Sequence, residues 1–152
     1  MKFYLASGLD NRVAARSLME HLRGLGHTLT HDWTLAEGAA HEHGEQRMHD
    51  VAQTEVSAVL EADFLVVLLP GGRGTHTEMG VALGVGKQVY LVGTDLELAT
   101  DPVAFYHHPR VTRVVANDSN RNEAMHHVLA YDEAYGLLPA PVVIKPHTQA
   151  AR

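Results

Sequence analysis

Glu78 stands inside the segment Gly71-Gly-Arg-Gly-Thr-His-Thr-Glu-Met-Gly80, a glycine-rich turn running into a helix. A carboxylate there has two uses. It complements the positive end of the helix dipole as an ordinary first-turn acid, or it faces a pocket as a nucleophile. Glu55 lies on the edge of a helical apolar row, four residues from both Val51 and Val59. Such a position either reaches solvent or turns into a cleft. A carboxyl partly withdrawn from water has its pKa pushed up and can hold a proton for a leaving group. Two acids at one cleft are the usual equipment for breaking a glycosidic bond.

Other side chains widen or narrow the choice. Arg73, in the glycine-rich turn, is either a solvated loop cation or a guanidinium beside free N–H groups, which suits a phosphate. Trp33, the single tryptophan, lies in Thr30-His-Asp-Trp-Thr34 and either packs in the core or stands at a pocket mouth as a stacking face. The turn lacks the Gly-Lys-Ser/Thr ending of a P-loop and is no Gly-x-Gly-x-x-Gly after a first strand. Nucleoside triphosphates, dinucleotides and other cofactors are therefore not expected. The densest histidine group, His41, His43 and His49, sits in a polar stretch, and the pairs His107-His108 and His126-His127 aim adjacent rings apart. No functional metal site is expected. With no cysteine, a thiol nucleophile and a disulfide framework are excluded.

The elements that must position these groups follow from the hydrophobic pattern. Residues 2–6 read as a strand, residues 11–25 as a helix with Ala14, Leu18, Leu22 and Leu25 on one face, and the neighbourhood of Leu29 as a second, weaker strand. Met48, Val51, Ala52, Val56, Val59 and Leu60 repeat helically over about 45–61. The run 63–69 is continuously apolar and suits a strand covered on both faces. A helix over 75–85, strands at 87–92 and 111–115, and a last helix from Asp118 to about Tyr135 complete the chain. This alternation predicts one α/β domain over 1–138 with a doubly wound sheet of about five parallel strands, Rossmann-like, in three layers α/β/α. The proline-punctuated residues 139–152 form a C-terminal arm or tail. In such a sheet ligands bind beyond the carboxyl ends of the strands. Three segments converge there: Ser7-Gly8 to Asn11, His31-Asp32-Trp33, and the turn Gly72-Arg73-Gly74 leading to Glu78 and Met79.

At 152 residues the chain can bury a core as one domain. Its formal net charge of -6 offers no field for a nucleic-acid backbone, so no polymeric nucleic acid is expected as partner. No run approaches a membrane span or a signal peptide. The expectation is a soluble, cytoplasmic protein without membrane partners.

Phe3-Tyr-Leu-Ala6, the spacing from Glu55 to Asp63, Ala62-Asp-Phe-Leu-Val-Val67, and Gly74-x-x-x-Glu-Met-Gly80 followed by Gly86-Lys87 resemble the nucleoside 2-deoxyribosyltransferase family. Relatives that hydrolyse nucleoside 5'-monophosphates share the resemblance, which covers roughly residues 2 to 92. It implies a flavodoxin-like sheet, a homodimer or larger assembly with shared sites, and double displacement through a covalent deoxyribosyl-enzyme. Small-molecule substrates are implied: a nucleoside or its monophosphate, and a free nucleobase. By position Glu78 matches the nucleophile, Tyr4 the tyrosine that holds it, and Glu55 an Asp that handles the proton of the departing base. Two departures stand out. The transferases' base-reading Asp, six residues before the nucleophile, is replaced by Gly72. The hydrolases' phosphate-holding Arg after the first strand is replaced by Asp10, with Arg12 two residues later. By the same resemblance the adjoining subunit contributes a residue from about Thr100 to His108.

Overall fold

The computed structural model describes residues 1–36, 44–100 and 103–137. His41, His43 and the arm at 139–152 lie outside the described residues. Five strands alternate with helices: β1 (Lys2–Ser7), α1 (Arg12–Gly24), β2 (Thr28–Leu29), α2 (Gly44–Glu61), β3 (Phe64–Leu68), α3 (Arg73–Gly84), β4 (Gln88–Gly93), α4 (Asp95–Thr100), β5 (Val111–Val115) and α5 (Arg121–Ala134). All pairings are parallel, in the order β2-β1-β3-β4-β5. Helices cover both faces, so the architecture is the flavodoxin-like three-layer α/β/α sandwich. The chain leaves β1 outward to β2 and returns across it to β3. The switch point therefore lies between the carboxyl ends of β1 and β3, at Ser7 and at the turn after Leu68.

Register decides which side chains face which layer. Tyr4 pairs with Leu65, and Leu65 with Val89, so these three share a face. Phe3, Phe64 and Tyr90 share the other face, where Phe3 stacks on Phe64 and Phe64 meets Tyr90 edge-on. β3 is buried at all five positions, as its continuous apolar run requires. β2 spans two residues and leaves the upper edge of β1 unpaired. Thr30 N–H donates to Phe3 O at 2.9 Å, and the Trp33 indole N–H donates to Leu5 O at 2.7 Å. These bonds satisfy carbonyls that a longer β2 would have paired.

Three expectations change. α3 starts at Arg73 instead of near Thr75. The crossover from β4 to β5 contains the six-residue α4 and a 3-10 turn at Ala104–His107, both too short to leave a periodic signal. The apolar row of α2 does not face the core along its length: Ala58 and Val59 are buried, whereas Met48, Ala52 and Val56 are exposed. No helix among the described residues is long and apolar enough to cross a membrane.

Candidate active site

The site is built where β1, α2 and α3 meet. Tyr4, on the middle of β1, points to the α3 layer and is fully buried. Its hydroxyl donates to Glu78 Oε1 at 2.6 Å. Since α3 begins at Arg73, Glu78 falls in its second turn, beyond reach of the first-turn dipole role. The residue is 8% exposed. Burial pushes its carboxyl up to about 7, the Tyr4 hydrogen bond draws it down, and the charge of Glu55 pushes it up. The Tyr4 phenol is itself driven upward by burial and by the negative charges of Glu78 and Glu55. Glu55, half-buried on α2, also has its pKa raised by burial. Two acids and a phenol thus share one electrostatic environment, assembled from three elements far apart in sequence.

The switch-point turns are stitched together above this group. Ser7 Oγ donates to Leu68 O at 2.8 Å, Asn11 Nδ2 donates to Ser7 Oγ and Leu69 O, and Gly8 N–H donates to Pro70 O at 3.2 Å. A Cβ at Gly8 would lie 3.0 Å from Pro70 O, and one at Gly71 only 2.6 Å from Thr75 Cγ2, so close approach demands glycine at both. Gly72 and Gly74 face open space, with nothing within 4 Å of such a Cβ. Gly72 N–H donates to Thr75 Oγ1 at 3.2 Å, fixing the start of α3. Arg73 is exposed; its carbonyl accepts from Thr77 Oγ1 at 2.9 Å, and its guanidinium has no hydrogen bond or ion pair among the described residues. Arg12, half-buried on α1, likewise has no side-chain hydrogen bond there.

Other expected substrate contacts separate on inspection. Asp32 caps the 3-10 turn Trp33–Leu35, accepting from Thr34 N and Thr34 Oγ1 with one oxygen. Trp33 is 7% exposed with its N–H spent on Leu5 O; it packs as a wall of the core instead of standing at the pocket mouth. Met79 is 1% exposed and packs in the core, because neighbouring residues on a helix point apart. Among the described residues no three His, Asp or Glu side chains cluster as metal ligands.

Sequence reasoning missed His76. Its Nδ1 lies 2.8 Å from Gly72 O and its Nε2 2.8 Å from the Tyr106 hydroxyl, with the rings stacked. Gly72 O only accepts, so Nδ1 donates to it. This pair ties the glycine-rich turn to the 3-10 turn at Ala104–His107. It also missed Lys87, which is buried and donates through Nζ to Leu60 O at 3.0 Å and to Ala62 O, holding the carbonyl end of α2 against the start of β4.

The fold has a close counterpart in the structure of the CMP N-glycosidase BcmB of Clostridium botulinum. The TM-score is 0.60 at 17% sequence identity, over 86% of this chain and 98% of that one. Among curated proteins none matches the sequence. The family model for nucleoside 2-deoxyribosyltransferases matches residues 3–126, a span that contains Tyr4, Glu55 and Glu78. On that match the chain belongs to the nucleoside 2-deoxyribosyltransferase family.

Proposed function

We propose that this protein breaks and re-forms the N-glycosidic bond of (2'-deoxy)nucleosides through a covalent glycosyl-Glu78 ester. The observation that carries the reading is the buried 2.6 Å hydrogen bond from Tyr4 to Glu78, beside Glu55, at the switch point of the sheet. Family membership supports the substrate class.

In the first half-reaction Glu78 Oε attacks C1' of the sugar. The C1'–N bond breaks, its electron pair goes to the base nitrogen, and Glu55 gives that base a proton. Tyr4 holds one carboxylate oxygen, which leaves the other to form the ester. In the second half-reaction a nitrogen of another base, or a water oxygen, attacks C1' while Glu55 takes its proton. Glu78 leaves as a carboxylate, and two inversions give retention. Transfer to a base makes the protein a transferase. Capture by water makes it a nucleoside 5'-monophosphate N-glycosidase, a reading favoured by the unpartnered Arg73 at the start of α3, which suits a 5'-phosphate. A non-catalytic nucleotide-binding domain is the remaining alternative.

Ser7, Gly8, Asp32, Gly72, Arg73 and Gly74 border the substrate in this reading. The exposed Met48 and Val56 on α2 and the exposed Phe105 supply apolar surface for a second copy, whose Ala104–His107 turn would complete the site. Incubation with deoxynucleosides and their 5'-monophosphates, each with and without a second free base, separates the alternatives. Base exchange supports transfer, and free sugar or sugar phosphate supports hydrolysis. Ligand-dependent stabilisation without turnover identifies a binding domain.

A further inference from the structure

On the other side of the switch-point turns lies a cavity of about 550 Å³, at the carboxyl ends of β3, β4 and β5. Its walls do not include Tyr4, Glu55 or Glu78. Leu69, Val92 and Ala116 supply apolar surface, and Asn11 and Pro70 bring the switch-point turns into its wall. Across from Asn11 stands Arg121, the first residue of the 14-residue helix α5.

Arg121 is 8% exposed, a degree of burial that a guanidinium tolerates when it is paired and hydrogen-bonded. The guanidinium's one hydrogen-bonding partner among the described residues is Asp118, through a single nitrogen, and the Asp118 side chain is 99% exposed. Four of the five guanidinium N–H donors therefore have no protein acceptor there. Glu97, a second acid lining the cavity, accepts through Oε2 from Thr94 N and Thr94 Oγ1. At the start of α5 the Arg121 N–H donates to Asn117 O at 3.1 Å and Asn120 Oδ1 accepts from Asn117 N, so the cavity meets the Arg121 side chain and not a free helix amide.

We infer that this cavity is a second ligand site that takes a small phosphomonoester, with the Arg121 guanidinium holding the phosphate and the apolar wall taking the organic part. A guanidinium fork is matched to phosphate oxygens. The volume exceeds what the anion alone needs. Asp118 is an internal competitor: it occupies Arg121 in the empty site and gives way when a phosphate arrives.

The test is calorimetric titration with inorganic phosphate and with ribose 5-phosphate, on the wild type and four variants. Arg121→Met is expected to weaken binding of both at least tenfold. Asp118→Asn is expected to tighten it several-fold, because the competing charge is gone. Arg73→Ala and Glu78→Gln are expected to leave the affinity at this site unchanged, so the result is independent of the chemistry at Glu78. Asp118 is on the surface, so its variant reads out even where Arg121→Met fails to fold. Absence of phosphate binding at millimolar concentration, unchanged binding in Arg121→Met, or weaker binding in Asp118→Asn would each overturn the inference.

Discussion

The Tyr4 hydroxyl and Glu78 Oε1 lie 2.6 Å apart in the buried layer between β1 and α3. The phenol is the donor, so the bond stabilises the ionised carboxylate and opposes the upward push of burial. A nucleophile must be ionised to attack. Turnover is therefore expected to fall as pH drops through about 7, the value to which Glu78 is raised. Tyr4→Phe removes a hydrogen bond to a charged group, worth about 1.5–3 kcal/mol. The acid limb of the kcat profile should move to higher pH in that variant. A limb that stays in place contradicts the assignment.

Glu55 acts in the opposite sense. As the proposed proton donor it must be protonated, so activity should decline as rising pH ionises Glu55. Its pKa is raised by burial, which keeps the proton available closer to neutrality. Glu55→Gln should slow turnover by about 10²–10⁴-fold and abolish the descending limb that Glu55 ionisation produces. Because the Glu55 charge raises Glu78, the same variant should shift the acid limb to lower pH. Rate profiles from pH 5 to 9 check both shifts.

Stability should carry the cost of holding Glu78 in place. Its folded pKa of about 7 lies above the ordinary glutamate value of 4.5. In the window between these values the unfolded chain has released a proton that the folded chain retains. The stabilising contribution is thus full below about 4.5 and is lost as pH rises through 7. Glu78→Gln removes the charge. It should be more stable than the wild type at pH 8, by on the order of 3 kcal/mol at most, with the difference vanishing near pH 4. Urea unfolding at the two pH values measures it.

The opposite face of the sheet offers a control. Tyr90 donates to Asp132 Oδ2 at 2.6 Å, a buried tyrosine–carboxylate pair that ties β4 to α5 and has no part in the proposed reaction. Tyr90→Phe leaves a buried carboxylate short of a donor and should cost about 1–3 kcal/mol of stability. The pH profile of the remaining activity should match the wild type. A shifted profile would mean that Tyr4→Phe reports on general destabilisation.

Much of this arrangement was legible in the sequence because the hydrophobic pattern fixes which elements exist. The unbroken apolar run at β3 and the alternation of strands and helices led to the doubly wound sheet, and the sheet placed Glu78 at its switch point. Tyr4 carried no signal of its own beyond the family resemblance, because a tyrosine in an apolar strand reads as core. Helix starts were less legible. Gly72 and Gly74 read as a turn, yet Thr75 Oγ1 and the His76 ring organise that turn so that α3 begins at Arg73. The outward Met48 and Val56 misled for the opposite reason: the helical period gives a stripe but not what covers it. Trp33 and Lys87 found partners in backbone carbonyls, which no side-chain pattern encodes.

The central claim is that Glu78 forms the covalent bond to the sugar. The most direct measurement is mass spectrometry of the protein quenched during turnover of a 2'-fluoro-2'-deoxynucleoside, whose electron-poor sugar slows release of the ester. One added glycosyl mass is expected, mapped to the peptide containing Glu78, together with loss of turnover by about 10³-fold or more in Glu78→Ala. An adduct on another residue, or unchanged turnover in a folded Glu78→Ala variant, would contradict it.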